Sequence, residues 1–312
     1  MKTPVALIIF NRPDLAARTL AAIAAARPET LLVIADGPRP DRPEDVERCA
    51  QTRAVIEHVD WECKVLTNFA ETNLGCGLRP LTGINWVFEQ VEDAIILEDD
   101  CLPHPTFFPY CEELLARYRD DERVMMIGGL NFLGKWQTPY QNYHFSYFGS
   151  SWGWASWRRA WRLNDYEMKL WPTVLEARLL EQMFPDPVHC QYWKDTFQRV
   201  YDQQIAGVWD YQWLLACWIN SGFRIFPEVN LISNLGFRDD ATHTFGDGPY
   251  ANMPTVGVRL PLQHPPFVMR SAEADALIAE RFCVEEGYRW QPPPPTLRMR
   301  AGKLVRRLGL RR

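Results

Sequence analysis

The sequence lacks any apolar run near the roughly 18 residues that cross a bilayer. It shows no repeat at a 20-to-50-residue period and no periodic placement of its 18 glycines or 24 prolines. Those absences exclude a helical integral membrane protein, a solenoid and a collagen-like rod. Histidine is scarce, at six, and the eight cysteines contain no C-x-x-C pair. A reduced cytoplasmic setting is the expectation. Neither H-E-x-x-H nor a Walker P-loop occurs, which disfavours zincins and P-loop kinases. The opening apolar run, Val5 to Phe10, stops at Asn11-Arg12-Pro13 and is too short for a signal-peptide core, so the chain is expected to start as mature protein.

What the chain has is a sizeable core, 47% hydrophobic residues over 312, and 13 tryptophans. Ten of these fall between Trp136 and Trp218 and mark a region. The net charge of −5 hides an asymmetry: all 39 acids precede residue 297, while residues 297–312 carry seven Arg and Lys. So acidic a body is a poor nucleic-acid binder.

Through the first hundred residues, β-rich runs alternate with helical ones. Strands are predicted at Val5 to Phe10, Leu31 to Asp36, Lys64 to Thr67 and Ala94 to Glu98. Helices are predicted at Asp14 to Ala26, Pro43 to His58 and Arg79 to Gln90. The alternation predicts an α/β fold with a mainly parallel central sheet flanked by helices. Ligands in such sheets bind beyond the carboxyl ends of the strands. Further on, a helix at Phe107 to Tyr118, a strand at Val124 to Ile127, helices at Thr173 to Met183, His189 to Ile205 and Asp210 to Asn220, and a strand at Arg224 to Phe226 are expected. The expected division is a first half (1–105), a second half of the same domain (106–248), a Pro-rich wrapping segment (249–296) and a basic tail (297–312).

Glu98-Asp99-Asp100 is the strongest local signal. Three carboxylates ending a buried strand are costly unless a cation or donors compensate them, and Mg2+ or Mn2+ prefers such oxygens; a solvated strand end or helix cap is the plainer alternative. Asn73-Leu74-Gly75 and the following Cys76-Gly77 precede a helix, where backbone N–H groups can meet a phosphate or simply make a turn. Asp36-Gly37 could receive a nucleotide base or ribose, or form an ordinary turn. Asp210, within Trp209-Asp210-Tyr211-Gln212-Trp213, reads equally as a helix N-cap and as a partly desolvated general base. Trp152 and Trp154, with Trp209 and Tyr211, could offer ring faces to a sugar, though tryptophan clusters more often pack a core. Arg238 could neutralise a phosphate, and His243 could ligate metal or serve as a loop residue.

These residues resemble the glycosyltransferases of the GT-A fold, and among them the family of the N-acetylglucosaminyltransferase I that starts complex N-glycans. The carriers are Asn11-Arg12-Pro13, Asp36-Gly37, Asn73-Leu74-Gly75, Ile95 to Asp100 with Pro105 and Phe107-Phe108, Gly153-Trp154, and Trp209 to Trp213. The resemblance covers about Val5 to Phe237 and suggests a bacterial-type soluble or peripheral relative. It implies that Arg12 and Asp36 hold the nucleotide's base end, that Glu98 and Asp99 face the donor sugar and ribose, that Asp100 ligates the divalent metal, and that Asp210 is the catalytic base. The motif's second residue here is Tyr211, where the family has Asp, and no N-terminal membrane anchor is expected.

The expected activity is therefore metal-dependent, inverting transfer of a sugar from a nucleotide diphosphate, UDP favoured, to a glycan or lipid-linked saccharide, with Mn2+ or Mg2+ as cofactor. One rival is a sugar-1-phosphate nucleotidyltransferase, since Gly75-Cys76-Gly77-Leu78-Arg79-Pro80-Leu81-Thr82 resembles that family's glycine signature about 65 residues late. A second is a catalytically decayed glycan-binding module. Drawn as a helix, the tail gathers Leu297, Ala301, Leu304, Val305 and Leu308 on one side and Arg300, Lys303, Arg306 and Arg307 on much of the other. That pattern suits the inner face of an anionic membrane or a solvated terminus.

Overall fold

The structure, a computed structural model, describes residues 1–238, 248, 250–285 and 287–288. The chain runs β1 (Val5–Ile9), α1 (Pro13–Ala26), β2 (Thr30–Ala35), α2 (Glu44–Ala54), β3 (Lys64–Phe69), α3 (Gly75–Gln90) and β4 (Asp93–Glu98). There follow β5 (Cys101–Pro103), α4 (Phe107–Arg117), β6 (Val124–Gly128), β7 (Tyr143–Ser146), β8 (Trp154–Trp157) and α5 (Arg158–Trp161). Helices α6 (Trp171–Glu176), α7 (Leu179–Met183), α8 (Pro187–Tyr201) and α9 (Asp210–Ile219) come next, then β9 (Phe223–Pro227), β10 (Ile232–Asn234) and α10 (Ala272–Glu285).

Eight strands form one mixed sheet in the order β3-β2-β1-β4-β8-β6-β9-β7. Only β8 and β7 run against the rest. The central strands are buried on both faces and read as unbroken apolar runs, Val5-Ala6-Leu7-Ile8-Ile9 in β1 and Ala94-Ile95-Ile96-Leu97 in β4. Pro13 at the first position of α1 pre-sets its helical φ, and Arg27 closes that helix in the left-handed region at φ 49°.

The tryptophan run turns out to be sheet. Strand β8 inserts antiparallel between β4 and β6, and its alternation sends Trp154 to one face and Trp157 to the other. Trp157 joins the core with α1 and α4 and donates its indole N–H to the Leu115 carbonyl at 3.2 Å. Trp154 packs on the opposite face with Trp161, Trp209 and Trp213. A further aromatic core, including Phe148, Trp171, Trp193, Phe197 and Trp218, lies under α6 to α10.

Some expectations shift. The helix predicted at Thr173 to Met183 is two helices, broken where Arg178 takes φ 54°. Helix α3 begins at Gly75, a turn earlier than predicted. Within the Pro-rich stretch, Ala272–Glu285 is helical. Among the described residues, no helix is long and apolar enough to cross a membrane.

Candidate active site

Register puts the acidic motif where the parallel strands end. Ile8 of β1 faces Glu98 of β4, so the turn after β1 carries Arg12 over Asp99 and Asp100. The Arg12 guanidinium forks between them, with Nη2 at 2.5 Å from Asp99 Oδ1 and Nη1 at 3.0 Å from Asp100 Oδ2. Asp99 also accepts from the Phe10 N–H at 3.3 Å, and its backbone carbonyl accepts from Thr19 Oγ1 at 2.8 Å. Asp100 sits beneath Gly236, where an added Cβ would lie 2.2 Å from Oδ2. The short sheet of β5 and β10 fixes that approach, with Leu235 N–H donating to the Asp100 carbonyl.

Charge at this strand end is crowded. Burial pushes Asp99 up to about 7, with Asp100 adding to the rise and Arg12 opposing it. Glu98 keeps some surface yet is ringed by protein, and burial raises it well above the carboxylate range, reinforced by Asp100, Asp99 and, more weakly, Asp210. Burial lowers Arg12, but the three carboxylates outweigh it and raise it overall. Full ionisation of the three carboxyls would exceed the one guanidinium, and a hard divalent cation would match that excess and favour the charged forms. Among the described residues no group of three or more His, Cys, Asp or Glu side chains is arranged as a metal cluster. His243 lies outside the described residues.

A cleft of about 690 Å³ opens here, lined by Arg12, Asp36, Asn73, Gly75, Glu98 and Asp99 of the predicted set, together with Phe10, Arg39, Cys76 and Arg79. Asp36 is already occupied: its carboxylate accepts from the N–H groups of Gly37 (2.8 Å), Leu74 (2.9 Å) and Gly75 (2.9 Å) and from Asn73 Nδ2 (3.0 Å). It ties the loop before α3 to the end of β2. Gly37 is required there, since a Cβ would come within 2.4 Å of the Thr72 backbone. Asn11 is outside the cleft lining and donates to Asp45 at 2.7 Å. Arg238 pairs with Asp14 at 2.6 Å and does not line the cleft.

A second cavity, about 730 Å³, is lined by Asp210 and Tyr211 at the start of α9, by Trp152, and by Ser150, Ser151, Trp193, Trp213 and Arg224. Trp154 and Trp209 are corrections to the acceptor-side expectation: only 1% and 5% exposed, they pack in the core beneath α9 and line neither cavity. Gly149-Ser150-Ser151-Trp152-Gly153 matches G-x-S-x-G by letters, but it links β7 to β8 rather than a strand to a helix, and among the described residues no histidine lines its cavity. The glycine run at Gly75 opens α3 after the third strand, whereas β1 is followed by Phe10-Asn11-Arg12.

The sequence reading missed Arg39, whose guanidinium lies 5.4 Å from the Phe10 ring centroid and 2.5 Å from Asp45. Three residues past Asp36, it belongs to the same strand-end turn. It also missed Arg224, whose signal was a lone charge inside Phe223-Arg224-Ile225-Phe226.

No protein-family model matches the chain, and no curated protein matches it. Among solved structures, the backbone is similar to a mannosyltransferase from Pyrobaculum calidifontis in complex with GDP-Man and Mn2+, at 14% identity and a TM-score of 0.30 over 50% of this chain. The match spans 45% of that protein's length. A UTP-bound UGPase from Acinetobacter baumannii is similar at 10% identity and a TM-score of 0.41, covering all of both chains. A 4-diphosphocytidyl-2C-methyl-D-erythritol synthase from Anaerococcus prevotii matches 52% of this chain and 74% of its own, at 10% identity and a TM-score of 0.32. Overlaps this low do not define an activity.

Proposed function

We propose that the chain is an inverting glycosyltransferase of the GT-A type, moving a sugar from a nucleotide diphosphate, UDP favoured, to a glycan or other hydroxyl acceptor. One observation supports the reading: the acidic end of β4 lines the cleft, and a carboxylate of the second cavity, Asp210, lies near enough to act on it. Glu98 and Asp99 line the cleft, and Glu98 feels the charge of Asp210, which lines the other cavity. In this proposal residues 1–105 supply the donor half and 106–248 the acceptor half.

Arg12 and Arg39 face the donor at the cleft wall, and the loop clamped by Asp36 presents Asn73 and Gly75 to it. Asp210 accepts the proton of the acceptor hydroxyl as its oxygen bonds to the anomeric carbon, while the bond to the diphosphate breaks on the opposite face and the electron pair leaves with the phosphate oxygen. Water is kept from the reaction by the aromatic walls of the second cavity. Asp100, with His243, would hold Mn2+ or Mg2+, which when bound supplies positive charge against the leaving diphosphate.

The test is turnover of a nucleotide-sugar panel with Mn2+. Asp210→Asn is expected to lose roughly 10²–10⁴-fold in rate while retaining nucleotide binding, and Asp100→Ala to lose metal-dependent binding. Wild-type turnover by Asp210→Asn would remove the base assignment. The basic tail, 297–312, lies outside the described residues; its proposed partner is the anionic inner face of a membrane, checked by liposome co-sedimentation against a truncation after Pro295.

A further inference from the structure

The wall of the first cleft and the start of α9 meet backbone to backbone. Gly75 and Cys76, in the first turn of α3, line the cleft. The Cys76 thiol donates to the Gly207 carbonyl at 3.2 Å, and Gly77 packs on the same segment. A Cβ added at Gly77 would lie 2.8 Å from the Gly207 carbonyl carbon, 3.0 Å from its Cα and 3.1 Å from the Val208 nitrogen. Gly207 takes φ +70°, and three residues on Asp210 opens α9. From the other side this turn is held by Trp209, whose ring centroid lies 5.8 Å from that of Trp154 and 6.0 Å from that of Trp161. Gln212 adds a hydrogen bond from Nε2 to the Val208 carbonyl at 3.1 Å.

Gly77 is helical and outside the left-handed region, so its own backbone does not call for glycine, and alanine is the better helix former there. What excludes a side chain is the approach of Gly207 and Val208. The atoms in the way are backbone, which cannot swing aside as the end of a side chain does. We propose that Gly77 is a positioning residue for Asp210. Its bare contact with Gly207 fixes how far Asp210 stands from the cleft, and a nucleotide seated against Gly75 and Cys76 steadies the start of α9 through that contact. Misplacing a reacting group by about 1 Å costs on the order of 10²-fold in rate, so a small shift at this joint is felt. The role of Asp210 as base rests on the transferase reading above; the joint between cleft and α9 rests on the geometry alone.

The experiment follows amide hydrogen exchange in the full chain with and without UDP, GDP or CDP, each with Mn2+, alongside calorimetry and turnover. In wild type the nucleotide that binds is expected to slow exchange severalfold in residues 205–213 as well as in 73–79. Gly77→Ala is expected to keep the binding stoichiometry and hold the affinity within about twofold. It should nevertheless lose the protection of 205–213 and about tenfold in kcat, with the donor KM unchanged. A lesion of the fold alone would lower the stoichiometry instead. Protection confined to 73–79 in wild type, protection of 205–213 that survives Gly77→Ala, or wild-type kcat in that variant overturns the inference and leaves the transferase reading in place. Should Gly77→Ala fail to fold, the wild-type exchange pattern decides. Coupled protection without turnover of any donor removes the transferase reading and leaves the joint, whereas no binding of any nucleotide removes both.

Discussion

Arg12 Nη2 stands 2.5 Å from Asp99 Oδ1, joining the end of β1 to the end of β4. Because the same guanidinium also reaches Asp100, Arg12→Met leaves two carboxylates without their cation. The expected loss is roughly 3 kcal/mol in urea unfolding at pH 7. Arg12→Lys should recover only part of it, since one ammonium cannot reproduce the fork. A midpoint equal to wild type in Arg12→Met would contradict the pairing.

Asp36 separates a scaffold role from a ligand role. With four donors on its carboxylate, Asp36→Asn sets an amide N–H₂ against N–H groups, and a loss of roughly 2 kcal/mol is expected without any nucleotide present. Thermal unfolding of the apo protein measures it. Unchanged stability with weakened nucleotide binding would assign the carboxylate to the ligand instead.

Gly153 has φ +62°, and a Cβ there would meet Ile232 Cδ1 at 2.4 Å. Gly153→Ala combines backbone strain with overpacking and is expected to cost roughly 2 kcal/mol. Pairing it with Ile232→Ala should make the two changes non-additive, which a double-mutant cycle reads directly.

Acid stability has a local source in α7. Burial acts to raise Glu181, but Lys194 Nζ at 2.6 Å and Arg178 Nε at 3.0 Å outweigh it and hold the carboxyl at about 2. A carboxyl lowered on folding stabilises fully above its ordinary value, near 4.5, and that contribution disappears as pH falls through about 2. Glu181→Gln should therefore melt below wild type at pH 7 and converge with it between those limits. A constant difference down to the lower limit would exclude the linkage.

The parallel strands were legible because burial on both faces writes itself as unbroken runs such as Ala94 to Leu97. The short strands were not: Tyr143–Ser146 and Trp154–Trp157 are four residues each, and the second carries aromatics that suit a pocket wall as well as a pleat. Of the candidate site, the residues at strand ends were readable from position alone, as with Arg12, Asp36 and Glu98. Whether a side chain was already engaged was not, because Asp36 meets donors 37 to 39 residues away. Trp154 illustrates the same gap, since its partners Trp209 and Trp213 come from the far end of the chain's tryptophan region.

Strand β8 pairs with β4 over Asp93–Trp157, Ala94–Ser156, Ile95–Ala155 and Ile96–Trp154, and with β6 on its other edge. The ladder crosses from the strands beneath the cleft to those beneath the second cavity, so no hinge can open between them without breaking hydrogen bonds in the middle of the sheet. The span between the two cavities is thus set like a gauge. A molecule that reaches into both must match that interval, so selection by length and shape would fall to a fixed frame rather than to closure of one lobe on another.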